Sequence, residues 1–292
     1  MHLTYAVAGY HLAYLDETGE RRRELRGRAE QHAAEGLKQF TAALARLDEA
    51  NCGAAYISAT LVCYCTFAAG PTSPSDLLVC NLDHGPDANW FPLIHGLRLI
   101  LEMFSADVVF SGLMDPFHPQ TEIKYREEKE VSETGPKFAR DGFARLDWEH
   151  PLSDLRTFVA AYDGGVVDCD DGDGQVTDDE GGRGLCLRSL DGLIAIYRAT
   201  YGDGDGQYEG SQDYQHVFGW IYRMEKPFLT YLRRRNPPAL IILAYYAVLF
   251  ETMDSLWFLK GWERHLLTKV KCMLPEEYAS WLGWPMKVAG LD

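Results

Sequence analysis

The stretch that decides the fold is Asn236–Leu291, which reads NPPALIILAYYAVLFETMDSLWFLKGWERHLLTKVKCMLPEEYASWLGWPMKVAGL. Two prolines open an apolar helix, because proline is tolerated in the first helical turn, where its missing N–H has no partner in any case. A short aromatic turn follows. A second, amphipathic helix then runs to a Pro-Glu-Glu sequence and a tryptophan-rich tail. The stretch predicts two helices joined by a short turn, and nothing in it matches a catalytic motif.

The rest of the chain repeats this helical pattern. Apolar residues recur at spacings of three and four, and no segment shows the sustained alternation that is typical of strands. Helices are therefore expected at 1–15, 20–47, 56–67, 88–104, 150–162, 185–201, 214–224 and 228–235. We predict an all-α fold in which residues 1–292 form one multi-helix domain.

Three of these helices carry more specific expectations. The first, MHLTYAVAGYHLAYL, has apolar or aromatic residues on most sides and is predicted to be buried. Asn51 is predicted to cap the third helix. The second helix is predicted to bury one face, made of Ala34, Leu37, Phe40, Leu44 and Leu47.

Two acidic segments rich in Gly and Asp interrupt the helices, near 163–184 and 202–213. Such segments bury too little apolar surface to offset the cost of ordering the backbone, so we predict flexible loops. Within the first, CDDGDGQVTDDE overlays a calcium loop, with Asp171, Asp173 and Glu180 as carboxylate ligands. Cys169 stands where that loop needs a hard oxygen ligand, and no flanking helices are predicted. A solvated acidic loop is therefore the favoured interpretation.

Composition limits the classes of partner. The chain has 28 Lys and Arg against 43 Asp and Glu, a net charge of −15, which argues against direct binding to nucleic acid or anionic membranes. The apolar run Ala239–Phe250 is shorter than the about 20 residues that cross a bilayer, so no membrane span is expected. Seven cysteines without a C-x-x-C pair predict buried free thiols in a reducing compartment. We expect a nuclear or cytoplasmic protein without a cofactor.

Several short sequences match a known family. They are Pro238-Ala239-Leu240, Ala244-Tyr245-Tyr246-Ala247, Trp257-Phe258-Leu259, Gly261-Trp262, Trp281, Trp284-Pro285-Met286 and the earlier set Trp90, Gly96, Leu97 and Arg98. In these residues the chain resembles the effector domain of fungal zinc-cluster transcription factors, and most of all the sterol-responsive regulators. The resemblance covers most of the chain except the acidic segments and 116–147.

The resemblance implies an all-helical regulatory domain that senses a hydrophobic small molecule such as a sterol. For protein partners, a homodimer and a co-regulator both remain open. The six-cysteine zinc cluster that binds DNA in that family is absent, so no direct nucleic acid contact is expected from this chain. The chain is expected to be either a fragment of a longer regulator or a stand-alone protein. An interaction module is a further alternative, supported by the acidic loops.

A stand-alone protein opens the alternative of a biosynthetic enzyme. Such an enzyme would be a cofactor-independent cyclase or isomerase that shapes a polyketide or terpenoid precursor by proximity and one or two placed acids or bases. The candidate catalytic residues are Tyr10, His11, Tyr245, Tyr246, Asp254 and His265. For either function, the candidate ligand-binding residues are the late aromatic and Met side chains Trp220, Phe228, Tyr231, Tyr245, Tyr246, Phe250, Met253 and Trp257.

Overall fold

The structure is a computed structural model that describes residues 1–83, 96, 99–117, 146–163, 179–202, 215–253 and 255–291. Within these ranges the regular elements are helices, and the one strand-like pairing is an isolated bridge between Asp76 and Asn81. The all-α prediction is confirmed. The chain divides into two compact units, 1–72 with 87–143 and 73–86 with 144–292. The single domain expected over residues 1–292 stays a prediction.

The first unit is built on three long helices. These are α1 (His2–Leu15), α2 (Gly19–Leu44) and α3 (Cys52–Ala69), and they are followed by the short α4 (Ala106–Val109) and a 3-10 turn at Gly112–Phe117. Small residues let α1 and α2 approach closely, since a Cβ added to Gly36 would lie 2.7 Å from the Leu3 side chain. The core that they share with α3 contains Leu3, Phe40, Cys52, Ala55, Ala59, Val62, Ile100, Val109 and Phe110.

α3 is, among the described helices, the one with the length and apolar composition of a membrane-crossing segment. One such helix is weak support for a membrane, because the core helix of a globular unit has the same composition. α3 packs against α1, α2 and α4. This packing is consistent with the prediction of no membrane span.

Three local expectations in this unit are wrong in whole or in part. α1 buries only one side, and Leu12 on its other side is 53% exposed. α2 buries Phe40 as predicted, and Leu47 packs against the core, but Leu37 and Leu44 of the predicted face are 40% and 37% exposed. Ala29 and Gly36 are buried in their place, because close contact with α1 selects the side with small residues. Asn51 stands at the N-cap of α3, but its side chain bonds the Arg46 carbonyl and the Asp48 N–H instead of capping the helix.

The second unit contains the remaining helices. In chain order they are α5 (Glu149–Ala161), α6 (Asp179–Tyr201), α7 (Gln215–Arg223), α8 (Lys226–Arg233), α9 (Pro237–Val248), α10 (Trp262–Met273) and α11 (Gly283–Val288). Three 3-10 turns lie between them, at Leu249–Met253, Trp257–Leu259 and Glu276–Leu282. All of the helices predicted between 150 and 235 are therefore present, with ends shifted by a few residues.

α9 is the centre of this unit. Every residue from Pro238 to Val248 is buried, and α6, α8, α10 and α11 pack against the helix. The Asn236 side chain accepts a hydrogen bond from the Ala239 N–H at 3.2 Å and so caps the helix that the two prolines begin. The apolar helix predicted at the start of 236–291 is thus confirmed, and in this unit it is the element around which the others pack.

The two acidic segments lie largely outside the described residues, which omit 164–178 and 203–214. One boundary is corrected: the backbone is already helical from Asp179, so the first insert ends before Gly184. The predicted absence of an exiting helix is wrong for the same reason, because α6 begins at Asp179, inside the calcium-loop sequence. Residues 164–168, before that sequence, lie outside the described residues.

Candidate functional site

An inner layer of aromatic rings lies on one side of α9. Tyr245 stacks on Trp284 with ring centroids 5.1 Å apart, and Tyr197 of α6 contacts Trp284 at 6.1 Å and Trp148 at 5.9 Å. The Tyr197 hydroxyl donates to the Tyr245 carbonyl oxygen at 2.6 Å. Burial raises the pKa of both tyrosines well above the ordinary value of 10, so both remain neutral hydrogen-bond donors.

A second group of rings lies around Tyr246. This ring stacks on Trp220 of α7 at 4.5 Å, and Phe250 meets it edge-on at 5.3 Å. The polar ends are satisfied, since the Tyr246 hydroxyl donates to the Val217 carbonyl at 3.3 Å and the Trp220 indole N–H to the Ser189 carbonyl at 2.9 Å. These rings fill the core and fix α7 to α9.

A third group is half-buried and forms what we call the aromatic rim: Phe158, Tyr162, Tyr278 and Trp281. Phe158 of α5 contacts Trp281 at 4.6 Å and Tyr278 at 5.8 Å, and Tyr162 meets Tyr278 at 6.2 Å. Burial first, and then the neighbouring Tyr278, raise the pKa of Tyr162 to about 12. The rim is a neutral aromatic surface of which part remains open to solvent.

One carboxyl group of this unit is set apart by its surroundings. Glu263, in the first turn of α10, has an Oε1 atom that is buried and accepts no hydrogen bond from the described residues. Burial, and then the charge of Glu251, raise the pKa of Glu263 from 4.5 to about 7. The charges of Glu263 and Glu251 also raise the pKa of the buried Tyr197. Glu263 can therefore hold or release a proton near neutral pH.

The predicted ligand-binding residues all lie in the second unit. Tyr231 and Trp257 are half-buried, and the others are buried core side chains: Trp220, Phe228, Tyr245, Tyr246, Phe250 and Met253. The structure therefore gives most of them a packing role. Their binding of a ligand stays a prediction.

The predicted catalytic residues are divided between the units. Tyr10 and His11 belong to the first unit; burial raises the pKa of Tyr10 to about 12, and His11 lies beside the ring of Tyr14 at 6.5 Å. In the second unit, Nε2 of His265 lies 2.7 Å from the Asp76 carbonyl oxygen and donates to it, which holds the buried segment around Leu77 against α10. Asp254 lies outside the described residues.

The predicted metal ligands cannot be placed as a group. Asp171 and Asp173 lie outside the described residues, and only the backbone of Glu180 is described, in the first turn of α6. Within the ranges that the structure does describe, no group of three or more His, Cys, Asp or Glu side chains is arranged to hold a metal ion.

Five of the six cysteines in the described ranges are free and buried, as predicted. Cys272 is free but exposed, so the prediction is wrong for it. Burial raises the pKa of Cys63 and Cys80 to about 12 and that of Cys65 to about 11, so these thiols stay protonated and unreactive.

Sequence reasoning did not select Glu263, Tyr197 or the rim residue Phe158. A weak signal existed for Tyr197, because Tyr197 and Tyr201 are spaced four apart and share one side of α6. For Glu263 no local signal exists, since a glutamate in a first helical turn is normally exposed and favourable there. Its raised pKa depends on burial and on the charge of Glu251, which only the fold brings about.

Comparison with known proteins does not identify a family. The chain matches no family model, and the searches of curated proteins and of solved structures found no match. The resemblance to fungal regulators therefore stays a prediction.

Proposed function

We propose that this chain is the regulatory effector domain of a fungal zinc-cluster type transcription factor and that it binds a hydrophobic small molecule such as a sterol. The observation that supports this proposal best is the aromatic rim, a half-buried cluster of four rings in the second unit. The sequence resemblance supports the family. The functional setting would be nuclear or cytoplasmic.

The rim suits a flat apolar ligand for a physical reason. Its rings are held in place by one another, so little side-chain entropy is lost when a ligand covers them. Each aromatic side chain offers a large apolar area, of about 150–250 Å² when fully buried. The rim carries no charge, and the Tyr162 and Tyr278 hydroxyls offer the few polar contacts that orient a sterol-like molecule.

Binding at the rim would regulate the domain through linkage. The rim joins α5 to the turn at Glu276–Leu282, so a ligand that contacts both stabilises the second unit. A ligand present at 100 times its dissociation constant would add about 2.7 kcal/mol. A co-regulator that recognises only the ligand-bound or only the ligand-free domain would then respond to the ligand.

The proposal is tested by native mass spectrometry of the full chain purified from a fungal host, together with thermal melting in added ergosterol. We expect a retained mass that matches a sterol and a raised melting temperature. Trp281→Ala should lose both effects, whereas Tyr14→Ala, which removes an exposed ring from the first unit, should keep them. If no apolar molecule is retained and ergosterol leaves the melting temperature unchanged, the ligand-sensing function is wrong.

A second candidate function, a stand-alone cyclase or isomerase, is favoured by one observation. Glu263 has a pKa of about 7 beside the neutral, buried Tyr197, which suits a general acid that works near neutral pH. Glu263 would donate its proton to a carbonyl oxygen or a double bond of a polyketide or terpenoid precursor. The cyclised cation would then lose a proton and restore the acid.

The enzyme alternative has its own test. Glu263→Gln should remove all conversion of a candidate precursor and leave sterol retention unchanged, whereas Glu276→Gln, at an exposed glutamate of the same unit, should leave conversion unchanged. Conversion that survives Glu263→Gln in a folded protein would exclude Glu263 as the acid.

A further inference from the structure

α1 has two apolar seams, and only one of them is buried by the residues that the structure describes. Leu3, Ala6, Tyr10 and Ala13 follow one another at spacings of three and four and are buried. A second series has the same kind of spacing on the other side and is exposed: Met1, Tyr5, Ala8, Leu12 and Leu15. We call this second series the exposed seam. Its period of 3.5 residues is that of helices that pair side by side.

The exposed seam has the composition of an interface and not of a solvated surface. Tyr5, Leu12 and Leu15 are each more than half exposed, at 51%, 53% and 60%. No Asp, Glu, Lys or Arg occurs between His2 and Leu15, although the chain as a whole carries a charge of −15. Depletion of charge together with Tyr, Leu and Met is typical of the buried centre of protein interfaces.

The order of the seam residues indicates what covers it. The series reads nearly the same in both directions around Ala8: large residues stand at 1 and 5, a small one at 8, and large ones at 12 and 15. A second copy of α1 laid antiparallel would bring Tyr5 against Leu12 of that copy, Met1 against its Leu15, and Ala8 against its Ala8. The small central residue lets the two backbones approach, and each large residue meets a large one.

Electrostatics favour the same arrangement. Antiparallel helices place the positive end of one macrodipole beside the negative end of the other. Because the seam carries no formal charge, two acidic chains can meet there without bringing carboxylates together. A two-fold axis through Ala8 also satisfies the rule that a symmetric dimer uses the same patch on both subunits.

We propose that two copies of this chain associate through the exposed seams of their α1 helices, packed antiparallel with the two Ala8 residues at the two-fold axis. The contact spans about 21 Å, which is 14 residues at 1.5 Å each. This is smaller than a standard interface of about 1,600 Å², so the dimer is weak, with a dissociation constant that is micromolar or higher.

The association is tested by sedimentation velocity of the full chain from about 1 to 300 µM. We expect the mean mass to rise from that of a monomer toward that of a dimer. Leu12→Lys should weaken the association by about tenfold or more, because each dimer would bury two lysines in the seam. Leu44→Lys, which alters another exposed leucine outside the seam, should leave it unchanged, and the melting temperatures of both variants should match that of the unaltered chain.

The direction of the two helices is tested by cross-linking in a background that carries Cys169→Ser and Cys272→Ser. These changes remove the exposed thiol of the described residues and the thiol that lies outside them. Ala8→Cys should form a covalent dimer under mild oxidation, because the two sulfurs meet at the axis. Leu15→Cys should not, since antiparallel packing places these positions about 21 Å apart. The proposal would be overturned if the chain were a monomer at every concentration or if Leu12→Lys did not weaken the dimer. Equal cross-linking through residues 8 and 15 would also overturn it.

Discussion

α1 and α9 are both apolar helices without a charged side chain, of 14 and 12 residues, yet they lie in very different environments. α9 is buried on every side from Pro238 onward, whereas α1 leaves a continuous seam in solvent. The difference lies in what surrounds them. Four helices pack on α9, while α1 packs against α2 and α3. A helix's composition therefore tells how much apolar surface it has, and its neighbours decide how much of that surface is covered.

The largest effect should come from shortening a side chain on α9. Ile241 is fully buried, so Ile241→Ala should cost about 2–5 kcal/mol through lost burial and a cavity. The matched change on α1, Leu12→Ala, should cost under about 1 kcal/mol, because Leu12 is already 53% exposed. Urea unfolding at low protein concentration measures both. Equal losses would show that the two helices do not differ in the way described.

The next effect is a pH dependence of the free energy of unfolding through Glu263, in the first turn of α10. Since folding raises the pKa of Glu263 from 4.5 to about 7, this group stabilises the fold fully below pH 4.5, and the contribution is lost as the pH rises through 7. Glu263→Gln should therefore stabilise the chain by about 1–3 kcal/mol at pH 8 and change little at pH 4.5. Unfolding curves at the two pH values are the measurement, and Glu276→Gln is the exposed control. A gain that does not depend on pH would contradict the assignment.

A smaller effect tests the close approach of α1 to α2. A Cβ at Gly36 would lie 2.7 Å from Leu3 Cγ and 3.1 Å from its backbone nitrogen, so Gly36→Ala should destabilise by about 1–2 kcal/mol. Gly27 in the same helix has open space, and Gly27→Ala should stabilise by about 0.5–1 kcal/mol through helix propensity alone. Thermal melting distinguishes the opposite signs. If both substitutions stabilise, the two helices are not in the close contact described.

The smallest effect concerns how α9 begins. Asn236→Ala removes the bond to the Ala239 N–H and should cost about 1 kcal/mol, whereas Asn236→Ser keeps an acceptor and should cost less than half of that. Chemical unfolding of the three proteins under one condition gives the comparison. If Asn236→Ala left the free energy of unfolding unchanged, the two prolines alone would set the start of the helix.

Part of this fold follows from short-range features of the sequence, and that part was predictable. The cap at Asn236, the prolines after it and the apolar run that follows identify α9 without any tertiary knowledge. The buried face of α2 was predicted correctly at Phe40 but wrongly at Leu37 and Leu44, because periodicity marked these leucines, whereas close packing against α1 selected Gly36 and Ala29. Glycine carries no apolar signal, so a helix contact made through it is invisible to a pattern of hydrophobic residues.

The candidate site was less predictable than the fold. The tyrosines on α9 stood out in the sequence, but their ring partners Trp220 and Trp284 come from α7 and α11. Tyr197, whose hydroxyl bonds the Tyr245 carbonyl, comes from α6. The pKa of Glu263 depends on its burial and on the charge of Glu251, and neither effect can be read from the sequence. Pairings and pKa values of this kind follow from tertiary packing alone.

A sterol site at the aromatic rim is tested by titrating the full chain with dehydroergosterol, a fluorescent sterol, and measuring energy transfer from the protein's tryptophans. We expect saturable transfer with one sterol per chain, retained in Tyr14→Ala and lost in a folded Trp281→Ala variant. Transfer that stays at the level of free dye up to the solubility limit, or that is the same in Trp281→Ala, would contradict a sterol site at the aromatic rim.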